Sequence, residues 1–151
     1  MKKYKTKLVL DTNIFIRIFV GDIKSQMKEC LELLKFLTEN ETNFKIYIPQ
    51  VVILEIAWVL GGKYYGFSRK KISEALASLG SDDFKIIHKI DFNKGLKIFE
   101  KYNVKLGDAM IVANEVVQKE NAIIVSYDRD FDKIKEVTRM TPKEALKKFT
   151  N

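Results

Sequence analysis

Four acidic side chains carry the most suggestive chemistry in this sequence: Asp11, Glu55, Asp108 and Asp128. Glu55 is the most telling. It interrupts Val51-Val52-Ile53-Leu54-Glu55-Ile56-Ala57-Trp58-Val59-Leu60, an otherwise apolar run. A carboxylate there is costly unless it is paired or bound to a cation. Two carboxylates 4 Å apart repel by about 4 kcal/mol at an effective dielectric near 20. Four of them brought together without cations call for a hard, oxygen-seeking ion such as Mg²⁺ or Mn²⁺. Each acid also has a plainer reading. Asp11 suits a turn after a strand, and Asp108 after Gly107 suits a helix N-cap. Asp128 suits a loop, and Glu55 suits a salt bridge or the edge of a helix.

Other chemistries are excluded by scarcity. The only cysteine, Cys30, rules out an intrachain disulfide framework and any Cys-rich zinc site. Cys30 falls on the apolar stripe of a helix and reads as core. The only histidine, His88, rules out multi-histidine metal sites and argues against His-based triads; it reads as structural, at the end of a strand. Gly61-Gly62-Lys63 follows a helix and lacks the spacing and Ser/Thr of a phosphate-binding loop.

The elements that must position the acids follow from periodicity. The chain has 151 residues, 46% of them hydrophobic, with no linker or internal repeat, and reads as a single domain over 1–151. Residues 7–10, 44–48, 84–88 and 122–125 read as strands, and 135–138 as a short fifth strand. Helical spacing runs over 24–40, from Pro49 to Gly61-Gly62, over 68–79, 91–102 and 109–119. Thr141-Pro142-Lys143-Glu144 fits a capping box opening a last helix to Phe149. Alternating strands and helices predict an α/β chain with a mostly parallel sheet covered on both faces. In such a sheet functional groups gather at the carboxyl ends of the strands. Asp11 and Asp128 directly follow strands, while Glu55 and Asp108 lie early in helices that start at that same edge. All four are therefore expected to converge.

The motifs resemble those of the PIN-domain nucleases. Val9-Leu10-Asp11-Thr12-Asn13 is similar to that family's opening motif, and Leu54-Glu55 to its second acidic position. Gly107-Asp108-Ala109-Met110-Ile111-Val112-Ala113 is similar to the third, and Ile124-Val125-Ser126-Tyr127-Asp128-Arg129-Asp130-Phe131 to the closing motif, with serine where threonine is usual. They occur in family order, and VapC-type toxins look like the nearest group. The resemblance implies a three-layer fold with a five-stranded parallel sheet. It also implies Mg²⁺- or Mn²⁺-dependent cleavage of RNA, a homodimer, and an antitoxin protein as partner. On this reading Asp11, Glu55, Asp108 and Asp128 hold the metal, and no histidine base is required. Water attacks rather than the ribose 2′-hydroxyl, so the expected ends are 5′-phosphate and 3′-hydroxyl.

Thr12 and Ser126 would orient the carboxylates. Asn13 would do the same or cap a helix at Ile14, and Asp130 reads either as an outer acid or as a loop residue. Arg17 and Arg129 are candidate RNA phosphate contacts, or solvated surface charges. Tyr64, Tyr65 and Phe67 read as loop or core packing, with base stacking as the alternative.

Two further readings stay open: a housekeeping PIN nuclease in RNA processing, and an inactive RNA-binding scaffold. A receiver-like phosphoacceptor domain is disfavoured because Asp11 is followed by Thr12-Asn13 rather than a second acid. The net charge of +7 and pI near 9.3 suit a polyanionic partner. The basic residues 1–7 precede too short an apolar run for a signal peptide, and no stretch is long enough for a membrane helix, so a cytoplasmic location is expected.

Overall fold

The computed structural model describes residues 5–151. Much of the basic amino-terminal stretch read above lies in residues 1–4, outside the described residues. Strand β1 (Thr6–Leu10) is central in a five-stranded sheet of order β3-β2-β1-β4-β5, and every pairing is parallel. Its neighbours are β2 (Phe44–Pro49) and β4 (Ile123–Val125). The edges are β3 (Phe84–Ile87) and β5 (Arg139–Met140). Leu8, Val9, Leu10, Ile48, Ile124 and Val125 are fully buried, as expected of strands covered on both faces.

The chain winds outward from β1 to β2 and β3, then returns to the other side of β1 for β4 and β5. The direction reverses between β1 and β4, which opens a crevice at their carboxyl ends. There the register pairs Leu10 with Val125, and the Asp11 N–H donates to the Val125 carbonyl at 3.1 Å.

Helices flank the sheet. They are α1 (Thr12–Val20), α2 (Lys24–Glu39), α3 (Gln50–Gly61), α4 (Arg69–Ala77), α5 (Phe92–Tyr102), α6 (Leu106–Val112), α7 (Glu115–Glu120) and α8 (Pro142–Thr150). Their starts obey local chemistry. The side chains of Ser68, Asp91 and Thr141 accept N–H groups of the first turns of α4, α5 and α8, and Thr141 and Glu144 complete the capping box.

Two expected elements differ. The helix expected over 109–119 is broken into α6 and α7, because the Asn114 side chain accepts the Val116 N–H and so caps a new helix inside the apolar run. The fifth strand is at Arg139–Met140 instead of 135–138. There the Ile124 and Ser126 N–H groups donate to the Thr138 and Met140 carbonyls.

Candidate metal centre and active site

Asp11 directly follows β1 and is the N-cap of α1, its Oδ1 accepting the Thr12 N–H at 2.7 Å. Its Oδ2 accepts the Ser126 hydroxyl at 2.6 Å and the Asn13 amide at 3.1 Å. Asn13 lies inside α1 and ties the crevice together: its amide also donates to Ser126 Oγ at 3.0 Å, and its Oδ1 accepts the Tyr127 N–H at 3.2 Å. Ser126 Oγ in turn accepts the Asp128 N–H at 2.9 Å. These bonds lock the two strand ends on either side of the crevice. Thr12 points to the neighbouring helix and donates to Glu55 Oε2 at 2.5 Å.

Glu55, on α3, rests its Oε1 where a β-carbon on Gly107 would stand. Gly107 therefore lets α6 close onto the Glu55 carboxylate. Asp108 is the third residue of α6, which starts at Leu106, three residues before the expected helix. The N-cap position belongs to Lys105, so capping does not account for Asp108. Its Oδ2 is buried without a hydrogen-bond partner. An unpaired buried carboxylate oxygen is rare and costly.

Asp128 opens a 3-10 turn, Arg129–Lys133, by accepting the Asp130 N–H at 2.9 Å. Phe131, fully buried, anchors that turn in the core. Asp108, Asp128 and Asp130 each offer an oxygen within 4.8 Å of the others. Asp130 is also paired with Lys133 at 2.9 Å.

Asp11, Thr12, Asn13, Arg17, Glu55 and Asp108, with Asp128 and Lys105, line one cleft of about 450 Å³. Asp11 and Asp108 are only 4% and 6% exposed. Burial pushes the Asp11 carboxyl up to about 6, with the charges of Glu55 and Asp128 adding to it against the hydrogen bonds from Ser126 and Thr12. Burial likewise pushes Asp108 up to about 7, helped by Asp11, Asp128 and Glu55 and opposed by Lys105. The Lys105 ammonium lies 3.6 Å from Asp128 Oδ2, and its own pKa is raised by the surrounding acids, Asp128 first. An all-oxygen donor set, two members buried and one oxygen unpartnered, fits a divalent cation better than it fits an ion-free pocket.

Arg17 lines the cleft, whereas Arg129 is exposed on the turn after Asp128 and is not among its lining residues. His88 is exposed just beyond β3. Tyr65 and Phe67 are partly buried against the core, as loop packing predicts, but Tyr64 is 87% exposed. Several contributors lie outside the sequence motifs. Lys105 stands two residues before Gly107, and Trp58 is one helical turn beyond Glu55, 81% exposed on the cleft wall. Arg139 clamps the serine turn by donating to the Ser126 carbonyl at 2.9 Å while paired with Asp132. The spacing of Trp58 from Glu55 places both on one helix face and was the available signal. Nothing local marks Arg139, whose role depends on β5 lying beside β4.

A parallel α/β sheet with carboxylates gathered at its switch point is an arrangement whose oxygen donors suit a hard divalent cation. A family model described as PIN domain matches residues 8–137, and the chain belongs to the PIN domain family. Solved structures share the fold at low identity. VapBC2 from Rickettsia felis, solved on a DNA fragment of its promoter, is 17% identical with a TM-score of 0.64, covering 90% of this chain and 98% of that one. A toxin–antitoxin complex from Klebsiella pneumoniae is 22% identical with a TM-score of 0.61, covering 91% and 98%. Mycobacterium tuberculosis VapC20, a sarcin–ricin-loop-cleaving toxin, is 15% identical with a TM-score of 0.59, covering 83% and 92%. No curated protein sequence matches this chain significantly.

Proposed function

We propose that this protein is a divalent-metal-dependent endoribonuclease, the toxin of a toxin–antitoxin pair. The observation that carries the reading is the pair of buried carboxylates, Asp11 and Asp108, sharing a cleft with Glu55 and Asp128 while Asp108 Oδ2 has no partner. Asp11, Glu55, Asp108 and Asp128 would hold Mg²⁺ or Mn²⁺. When bound, such an ion supplies an activated water and neutralises charge on the phosphate. The chain's own residues do the rest. Ser126 and Asn13 fix the rotamer of Asp11, and Thr12 holds Glu55 against Gly107. Asp130 widens the acid cluster from the rim. Lys105 balances negative charge when the cleft is otherwise empty of cations. The surface excess of lysine attracts RNA, and Arg17 and Arg129 would contact its phosphates.

The toxin reading draws support from the solved complexes named above, in which proteins of this fold stand with antitoxins. A partner antitoxin in the cytoplasm is therefore part of the proposal. No described helix is long and apolar enough to cross a membrane. A homodimer is also proposed. Phe92, Leu96 and Phe99 recur at helical spacing along α5 and are 62%, 40% and 45% exposed, an apolar stripe that suits contact with a second copy.

Incubation of the purified protein with defined RNAs in Mn²⁺, Mg²⁺ or EDTA tests the reading. Cleavage should need the metal, leave 5′-phosphate ends, and fall by about 10²-fold or more in Asp11→Asn and Asp108→Asn. Cleavage that persists in EDTA and in both variants would sink the proposal.

A further inference from the structure

Arg17 differs in kind from the other cations near the cleft. Lys105 is 74% exposed at its side chain and reaches Asp128 only at 3.6 Å, whereas Arg17 is 20% exposed and held at 2.7 Å by Asp22. Its Nη1 donates to Asp22 Oδ1 at 2.7 Å. The Tyr65 hydroxyl donates to Asp22 Oδ2 at 3.1 Å. One carboxylate thus ties a guanidinium and a phenol together, and both line the acid cleft.

Asp22 is itself oriented. Its Oδ1 accepts the Ile23 N–H at 3.1 Å, and it follows Gly21, which ends α1 at φ 67. The left-handed φ favours glycine there, and a β-carbon would also press on Met27 Sδ at 2.9 Å. Tyr65 comes from the loop after α3, the helix that carries Glu55. The end of α1 with its following turn, and a loop 43 residues further on, therefore converge to fix one side chain.

The fixed group keeps unused capacity. A guanidinium has five N–H donors, and the Asp22 bond uses one at Nη1. Its Nε is shielded from water and has no hydrogen-bond partner, so the donors left for a ligand are the Nη N–H groups beyond the one given to Asp22. A planar donor fork, already ordered and beside a cluster of acids, suits a phosphate group.

We infer that Arg17, Asp22 and Tyr65 form a built phosphate subsite: Arg17 grips a substrate phosphate flanking the one cleaved at the acids, and Asp22 and Tyr65 are its positioning residues. This rests on the ribonuclease reading above. Because the grip is pre-ordered, the substrate loses less freedom on binding, and the strand is registered against the acids.

The test uses the full chain with a single-stranded RNA oligonucleotide. Steady-state cleavage in Mn²⁺ gives KM and kcat, and fluorescence anisotropy in EDTA gives binding without turnover. Simple electrostatics says that Asp22→Asn, which removes a negative charge, should tighten RNA binding. The subsite says the reverse: Asp22→Asn and Tyr65→Phe should raise KM on the order of tenfold, more than they lower kcat, as a charge-assisted contact loses its organisation. Arg17→Lys should raise KM as well, because the charge remains but the fork does not. In EDTA, Arg17→Met should reduce the slope of log affinity against log salt by about 0.7, one phosphate on a single strand.

Thermal melts identify any variant that fails to fold. Tyr65→Phe, which keeps the ring, carries the test if Asp22→Asn does not fold. Unchanged or lowered KM in Asp22→Asn and Tyr65→Phe, while the wild type cuts RNA, would overturn the subsite and leave the nuclease reading standing. A wild type that neither binds nor cuts RNA would remove both.

Discussion

Gly107 decides where Glu55 can rest. A methyl group at position 107 would occupy the place of Glu55 Oε1. Because the displaced atom is the tip of a flexible side chain, Gly107→Ala should fold, with Glu55 driven out of the cleft. We expect normal secondary structure with at least a tenfold weaker Mn²⁺ response, read by calorimetric titration. Wild-type metal affinity in Gly107→Ala would show that Glu55 is dispensable. The four acids were legible in the sequence because Glu55 interrupts an apolar run, where a charge needs a reason, and because the pattern of strands and helices puts all four at one edge of the sheet. Thr12 and Ser126 were legible beside them. Lys105, Arg139 and Asp22 were not. Each acts on at least one partner brought near by the fold, Tyr65 in the case of Asp22, and a lone charged residue near a helix end or strand edge looks like any other surface charge.

Among the elements, the 3-10 turn after Asp128 is held by one side chain. Phe131 is fully buried and carries Asp128 and Asp130 with it. Phe131→Ala should cost about 3–5 kcal/mol of stability by leaving a cavity, measured by urea unfolding. Thr141→Ala removes half of the capping box of α8, far in sequence from the acids, and should cost about 1 kcal/mol. Comparable losses in the two variants would mean that the turn is not anchored in the core. The capping box and the Ser68 and Asp91 caps were readable, since capping is decided within four residues. The break at Asn114 was not, because its apolar flanks continue a helical pattern on both sides. The place of β5 was not either: two residues form a strand only because β4 offers an open edge.

For the molecule as a whole, the buried acids set how stability responds to pH. The carboxyls of Asp11 and Asp108 are pushed up to about 6 and about 7, above their unfolded values. Without metal, the folded chain keeps protons there that the unfolded chain releases. Stability from these groups is therefore present in acid and is lost as pH rises through about 6 to 7. A divalent ion removes that cost, so the rise in melting temperature with Mn²⁺ should be larger at pH 8 than at pH 5. An equal rise at both values would show that the ion binds elsewhere. The proposed dimer is tested by sedimentation, where Phe92→Glu with Phe99→Glu should yield monomers. The only thiol belongs at this scale too. Cys30 lies fully buried on α2, its pKa pushed up to about 11 by burial. Tyr127, next to Asp128, donates its hydroxyl to Glu29 on the same helix at 2.8 Å. A thiol reagent can therefore modify Cys30 only when α2 lifts from the sheet. The labelling rate becomes a clock for that opening, and because Tyr127 ties α2 to the metal-side turn, Mn²⁺ should slow the clock in wild type and leave it running unchanged in Asp108→Asn.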